Sequence, residues 1–167
     1  MAILPIVKYP EPILKKPAAQ IEKVTKEIRH LLDDMAETMY SACGVGLAAP
    51  QIGKSLRLIV LDPTGNEGKQ LITLVNPIIV AGEGKIEGDE GCLSLPGVVC
   101  NVKRFAKVRV RGVDPVKGKT IEIEAEGFLA RIFQHEIDHL EGKLIWDRLG
   151  RLKREFYKRR YLKQFKK

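Results

Sequence analysis

The chain has 167 residues, of which 44% are hydrophobic and 30% are charged, with a formal net charge of +8. These values are typical of one globular domain that is large enough for a core. No apolar run is long enough to cross a membrane, and residues 1–5 lack the charged start and apolar stretch of a signal peptide, so we expect a cytoplasmic protein. Three cysteines without framework spacing favour a reducing compartment over a disulfide scaffold.

The first half of the chain predicts extended backbone, one helix and two strands. Four prolines within residues 5–17 predict extended chain. Apolar residues at helical spacing predict a helix near residues 25–41. Residues 56–61 and 71–75 have strand-like composition, and residues 62–66 between them predict a turn.

The second half predicts strands followed by helices. Alternating residues over 98–113 predict a half-exposed strand, and Gly118 predicts a hairpin turn into a strand at 121–124. A helix is predicted near residues 126–141, and the basic tail, 148–167, predicts another. Strands that cluster between helices without βαβ alternation predict an α+β fold, in which antiparallel or mixed strands surround a central helix.

The central helix carries a candidate metal site. Its residues His135 and His139 are four apart, so their imidazoles lie one turn apart on one face. Glu136 follows the first histidine, where a carboxylate can take a proton from a water bound to the metal. An apolar stripe supports the helix, and Gly142 ends it. The stripe consists of Phe128, Leu129, Ile132, Phe133 and Leu140.

Two histidines leave a catalytic metal short of one protein ligand, because such sites use three and keep one position for water. His30 falls on the polar side of the first helix and is expected at the surface. Glu141 is too close to His139 to reach around the same ion. Glu155, 16 residues beyond His139, remains a candidate of the kind that zinc peptidases use.

The three cysteines are the other candidates for the third ligand. Cys92 has the best context, because the glycine-rich segment around it predicts irregular backbone next to β-type sequence. Cys43, at the end of a helix, and Cys100, in an apolar run, are expected to be small buried hydrophobic residues. The pattern favours Cys92 and leaves the other two open.

Residues 44–51 form a segment of small residues that ends at Gln51. The segment fits a dinucleotide-binding pattern only superficially, because it follows a helix and Pro50 disfavours helix at Ala49. Small residues let backbone approach a ligand closely, and Gln51 offers an amide donor. The alternative is an ordinary glycine-rich turn.

Three segments together resemble the signature motifs of the peptide deformylase family. They are Gly44-x-Gly46-x-Ala48-Ala49-x-Gln51, Glu90-Gly91-Cys92-Leu93-Ser94 and Gln134-His135-Glu136-Ile137-Asp138-His139. The resemblance runs from near residue 1 to about residue 147, and it implies a catalytic domain at 1–147 with a helical extension at 148–167. It further implies an enzyme that removes the formyl group from the N-terminal formylmethionine of new proteins.

The resemblance assigns catalytic roles to particular residues. It implies one metal held by Cys92, His135 and His139, with Glu136 as general base and then general acid. Gln51 and the Leu93 N–H are the implied donors to the developing negative charge. Two nitrogens and a thiolate suit Zn²⁺, Fe²⁺, Ni²⁺ or Co²⁺, and the family implies Fe²⁺ in the cell.

The resemblance also assigns the substrate contacts. Val45, Phe128 and Ile132 are implied to form the slot for the methionine side chain. Gly46 and Gly91 are implied to pair with the substrate backbone in strand fashion. Some relatives have an arginine after the proline of the second motif, where this chain has Val98 and Val99, so contacts beyond methionine are not assigned by the motifs.

The positive charge of the chain lies in its tail. Residues 147–167 hold 10 Lys/Arg and 2 Asp/Glu, whereas residues 1–146 hold 19 of each. One interpretation is a solvated final helix that packs through Leu152 and Phe156. The other is an arm that binds phosphate backbone, for which the resemblance implies the ribosome near its exit tunnel. Anionic membrane is a weaker alternative. Tyr157, Tyr161 and Phe165 form a second apolar series along the tail.

Two other classes of protein fit parts of the pattern. A zinc peptidase would use Glu155 in place of Cys92. An RNA-binding or ribosome-binding module would have a purely structural metal, closed by four protein ligands.

Overall fold

A computed structural model describes residues 2–65, 68 and 70–165. Residue 66 of the predicted turn, residues 166–167 of the basic tail and the Phe165 side chain lie outside this description. The helices are α1 (Lys26–Ser41), α2 (Phe128–Leu140) and α3 (Arg151–Phe165). The strands are β1 (Gly46–Ala48), β2 (Leu58–Leu61), β3 (Ile72–Glu83), β4 (Ile86–Cys92), β5 (Leu95–Arg104), β6 (Lys107–Asp114) and β7 (Lys119–Glu126).

The strands form two antiparallel sheets, which confirms the α+β class. One sheet has five strands in the order β1-β2-β3-β6-β7, and the other is the β4–β5 hairpin. The apolar face of α2 packs on the larger sheet, where Ile132, Phe133 and Ile137 join Leu74 and Val110 in one core cluster. Burying such side chains stabilises the fold by about 1.5–3 kcal/mol each.

The predicted bounds of two strands were wrong. Strand β3 continues past residue 75 because Asn76 adopts a positive φ and Pro77, which lacks an N–H, occupies the resulting irregularity in the ladder. The predicted single strand at 98–113 is two strands, which pass from one sheet to the other at Phe105 and Ala106.

The glycine-rich segment before Cys92 is strand β4 and not irregular backbone. Its residues pair with β5 from Ile86 opposite Arg104 to Gly91 opposite Val99. A Cβ at Gly88 would lie 2.7 Å from the Arg131 guanidinium. Glycine at this position therefore makes room for a helix side chain, and it does not mark a loop.

The N-terminal segment is hydrogen-bonded to two segments that carry candidate site residues. The Val7 N–H donates to the Gln51 carbonyl (2.7 Å), and the Tyr9 N–H donates to the Ser94 carbonyl (3.0 Å). The extended chain expected there is interrupted by one 3-10 turn, Pro12–Lys15. These bonds tie the first residues to the middle of the chain.

Helix α3 packs through a different face from the one expected. Leu152 and Phe156 are 88% and 59% exposed, so the expectation that they anchor the helix was wrong. The anchor is Tyr161, which is 3% exposed and packs in a core cluster with Trp146. Its hydroxyl donates to the Tyr9 carbonyl at 2.6 Å. None of the helices in the described residues combines the length and the apolar character needed to span a membrane.

Candidate active site

Helix α2 places His135 and His139 on one face, with ring centroids 5.1 Å apart. The helix begins after Gly127, whose φ of +63° favours glycine. His139 is only 1% exposed, whereas the His135 side chain is 11% exposed. Burial and the charge of His135 lower the pKa of His139 well below its ordinary value, which keeps that ring in the neutral form that binds metals.

Cys92 completes a group of three metal-binding side chains. It lies where the β4–β5 register breaks between Gly91 and Cys92, and this irregularity turns its side chain toward α2. The Cys92 Sγ is 3.4 Å from His139 Nε2, and the ligand atoms of Cys92, His135 and His139 all lie within 4.8 Å of one another. Two imidazoles and a thiol at this spacing fit one divalent transition metal.

The other candidates for the third ligand lie outside this group. His30 is exposed on α1, as expected, and Glu155 is exposed on α3. Cys100 is buried, as expected. Cys43 was expected to be buried, but it is exposed in a left-handed conformation at the rim of the pocket described below, because the chain turns sharply after α1.

Glu90 fixes the orientation of the first histidine. Its carboxylate lies 3.1 Å from His135 Nδ1 and accepts hydrogen bonds from Arg104 (2.7 and 2.9 Å) and Arg131 (2.9 Å). Burial opposes the charge of Glu90, but the bonds from Arg104 and His135 lower its pKa to about 2. With Nδ1 engaged by this anion, Nε2 of His135 is the nitrogen left for a metal.

Asp138 extends this network of buried charges. It accepts hydrogen bonds from Arg104 (2.6 Å) and from Arg148, and its side chain is buried on α2. Arg104, Arg131, Asp138 and Arg148 were not predicted as site residues. For Asp138 the available signal was its place in the third motif, directly before His139.

Glu136 is buried beside the metal-binding group. It is 3% exposed, and its Oε2 lies 3.9 Å from His135 Nε2. Its Oε1 has no hydrogen-bond partner among the described residues. Burial raises the pKa of Glu136 to about 7. A carboxylate with this pKa can both accept and release a proton near neutral pH.

Gln51 directs its amide toward the same place. It lies in the 3-10 helix Ala49–Ile52, and its Oε1 accepts from the Ala48 N–H at 3.0 Å. Its Nε2 donates to Cys92 Sγ at 3.6 Å and to Ser94 Oγ at 3.2 Å. The Gln51 amide is therefore held in place next to the metal-binding group.

A pocket of about 500 Å³ opens onto this group. Its walls bring together the residues to which the sequence analysis assigned substrate contacts, namely Val45, Gly46, Gly91, Phe128 and Ile132, and also Gln51, Leu93 and Glu136. Cys92 and His135 line the pocket, while His139 lies beneath it. The chemistry that such a site supports is water attack on a carbonyl that lies next to an apolar side chain.

The comparisons with known proteins agree on one family. The family model described as polypeptide deformylase matches residues 3–155. A peptide deformylase of Symbiobacterium thermophilum is 57% identical over 92% of this chain and 70% of its own length. One from Thermodesulfovibrio yellowstonii is 52% identical over 96% of this chain and 98% of its own. The crystal structure of a peptide deformylase from Legionella pneumophila superposes with a TM-score of 0.91 at 48% identity, over 99% of this chain and 96% of that one.

Proposed function

Since this chain belongs to the peptide deformylase family, whose members hydrolyse the N-formyl group of nascent peptides, we propose that the reaction takes place at Cys92, His135 and His139. The family that the three sequence motifs predicted is confirmed. The observation that carries the proposal is that the ligand atoms of these three residues lie within 4.8 Å of one another, directly below the pocket.

The residues around the site account for the proton transfers. Cys92, His135 and His139 would hold a divalent ion, which would supply an activated water and a Lewis acid for the formyl carbonyl. Glu136 accepts the proton of the attacking water and then delivers it to the leaving amine nitrogen. The Gln51 amide and the Leu93 N–H donate to the formyl oxygen as it gains negative charge. Formate and a peptide with a free amine are the products.

Substrate binding uses the apolar and glycine-rich walls of the pocket. Val45, Phe128 and Ile132 surround the methionine side chain. The backbones of Gly46 on β1 and Gly91 on β4 pair with the peptide as an added strand. Among the described strands β4 pairs only with β5, so its other edge is open to an added strand.

The metal in the cell is proposed to be Fe²⁺, with Zn²⁺, Ni²⁺ or Co²⁺ as ions that a purified sample can also hold. The test is anaerobic loading with each metal, followed by formate release from a formyl-Met peptide and measurement of bound metal. Cys92→Ala should lose both metal and activity. Glu155→Ala is the control, and it should keep both.

The two rival classes predict different results in the same experiment. A zinc peptidase that used Glu155 would lose its metal in Glu155→Ala and keep it in Cys92→Ala. A purely structural metal would be closed by four protein ligands, but no fourth Cys, His, Asp or Glu joins the group within the described part of the chain. Bound metal without any formate release would favour that class.

Helix α3 is proposed to bind ribosomal RNA. Its outward residues, here called the tail surface, line one open groove and are Arg151, Leu152, Glu155, Phe156, Arg159, Arg160 and Lys163. Leu152 and Phe156 are exposed between the cationic side chains. On an RNA partner the cations would contact phosphate and the apolar side chains would contact sugar or base. A helix face that only contacts solvent would not account for the exposed apolar side chains.

A further inference from the structure

The active-site pocket extends beyond the slot proposed for methionine. At its far rim lie Gly97, Val98 and Val99 of β5. Val99 is 57% exposed and directly opposite Gly91 in the β4–β5 register. An extended peptide advances by about 3.3 Å per residue. A substrate paired with Gly91 therefore carries its third and fourth residues past this rim.

The same three residues of β5 form one wall of a second cavity, of about 190 Å³. Helix α3 forms the other wall, with Tyr157, Arg160, Tyr161 and Gln164. This spacing places all four side chains on one helix face. A Cβ at Gly97 would lie 3.9 Å from Gln164 Oε1, so the helix borders the hairpin closely. None of these four α3 residues lines the active-site pocket itself, but the helix lies beside the same three residues of β5.

The charge at this end of the groove is positive. Arg160 is exposed, and none of the described carboxylates lies within ion-pair distance of its guanidinium. The exposed acid of the pocket, Asp89, lies opposite Asn101, farther from the β4–β5 turn than Gly91 and Val99 are. The second cavity, beside Gly97–Val99, is lined by Arg160 and by no carboxylate among the described residues.

We propose that Arg160 is a specificity residue for deformylation, which selects formylated peptides with an acidic side chain at the third or fourth position. The inference rests on the proposed function of the pocket, because it requires the formyl group to lie at Cys92, His135 and His139. It gives α3 a role in substrate choice that does not require the ribosome.

The test compares two peptides without ribosomes, formyl-Met-Ala-Asp-Asp-amide and formyl-Met-Ala-Lys-Lys-amide. The amide removes the terminal carboxylate, which would otherwise compete for Arg160. The readout is the ratio of kcat/KM for the two peptides. Both rates come from one preparation, so the folded and metal-loaded fraction cancels. Because exposed ion pairs are weak, we expect a ratio of roughly threefold to fivefold in favour of the acidic peptide, and a decrease of the ratio with added salt.

Two charge reversals on α3 identify the residue responsible. Arg160→Glu should invert the ratio. Arg159→Glu is the matched control, since it makes the same charge change on a neighbouring residue that does not line this cavity. It should keep the wild-type ratio.

Equal rates for both peptides in the wild type would overturn the inference, as would a wild-type ratio in Arg160→Glu. An equal shift in both variants would also overturn it, because the cause would then be the overall charge of the tail. No formate from either peptide would overturn the proposed function together with this inference.

Discussion

The backbone of Gly46 lies directly against the carboxylate of Glu136. A Cβ at this position would lie 2.8 Å from Glu136 Cδ and 2.9 Å from Cγ. No real Cβ contact is that short, so any side chain here must displace the glutamate. Strand β1 therefore holds the proposed proton carrier by close contact from one side, while α2 holds it from the other.

Gly46→Ala should reduce kcat/KM by about 10²-fold or more, because a displacement of the acid–base group by about 1 Å has that effect. Bound metal should stay near the wild-type level, because Cys92, His135 and His139 are not moved. Gly150→Ala is the control, since a Cβ there would meet no atom within 4 Å and the residue lies outside the pocket. A fully active Gly46→Ala enzyme would show that the position of Glu136 is not critical.

Glu136→Ala should keep the fold and the metal but lower kcat by about 10²- to 10⁴-fold, the usual contribution of a general acid–base group. Glu136→Asp should also be poor, because the shorter side chain does not span the water and the leaving nitrogen. Glu126→Ala, an exposed residue of β7, serves as the control. Metal analysis and formate release check the prediction, and normal turnover of a metal-loaded Glu136→Ala sample would refute the role.

Glu90→Ala should destabilise the protein by about 3 kcal/mol or more, because it leaves the buried Arg104 with only Asp138 and removes the anion from Arg131. Metal affinity should fall by about 10- to 100-fold, since His135 loses the group that orients it. Denaturant unfolding and metal competition measure the two effects. Glu87→Ala on the same strand, where an exposed Glu87 pairs with Lys103 at 3.6 Å, should change stability by less than about 0.5 kcal/mol.

Tyr40 gives a prediction for alkaline pH. Its hydroxyl donates to Asp62 at 2.6 Å, and burial together with this bond raises the pKa of Tyr40 to about 12. Between the unfolded pKa of about 10 and the folded value, the unfolded chain has lost a proton that the folded chain keeps, so the free energy of unfolding falls as pH rises. Tyr40→Phe should lack this part of the decline. Urea unfolding of both proteins at about pH 9 and about pH 12 measures how far the free energy of unfolding falls between the two pH values. An equal fall in both proteins would contradict the role of Tyr40.

The tail surface predicts a salt-dependent interaction with ribosomes. The double variant Arg159→Glu and Lys163→Glu should weaken ribosome binding and reduce the dependence of binding on salt, because fewer counterions are released. The control, Lys117→Glu with Lys119→Glu, makes the same charge change at the β6–β7 turn. Co-sedimentation at several salt concentrations measures both. If the two variants bound ribosomes equally well, the tail surface would not be the binding site, and α3 would be a helix that only contacts solvent.

The site residues that could be predicted from the sequence are those whose chemical type and spacing indicate their role. His135, His139 and Glu136 have a helical spacing that implies their geometry, and Cys92 and Gln51 stand in segments with unusual glycine content. The partners of Glu90 could not be predicted in this way, because Arg104 and Asp138 meet only when β5 packs against α2. The sequence also contained two apolar series on α3, and their spacing does not show which one faces the body. In the fold, Tyr9 and Trp146 pack against Tyr161, and this packing makes Tyr161, and not Leu152, the anchor of the helix.

The hydrogen bond from Tyr161 to the Tyr9 carbonyl links helix α3 to the segment that carries the metal-binding thiol. Tyr9 in turn donates its N–H to the carbonyl of Ser94, two residues after Cys92, so α3 supports that segment through the N-terminal residues. Release of α3 from the body would remove this support from the backbone beside Cys92. The metal affinity of the proposed site is therefore coupled to the docking of a helix that supplies none of its ligands.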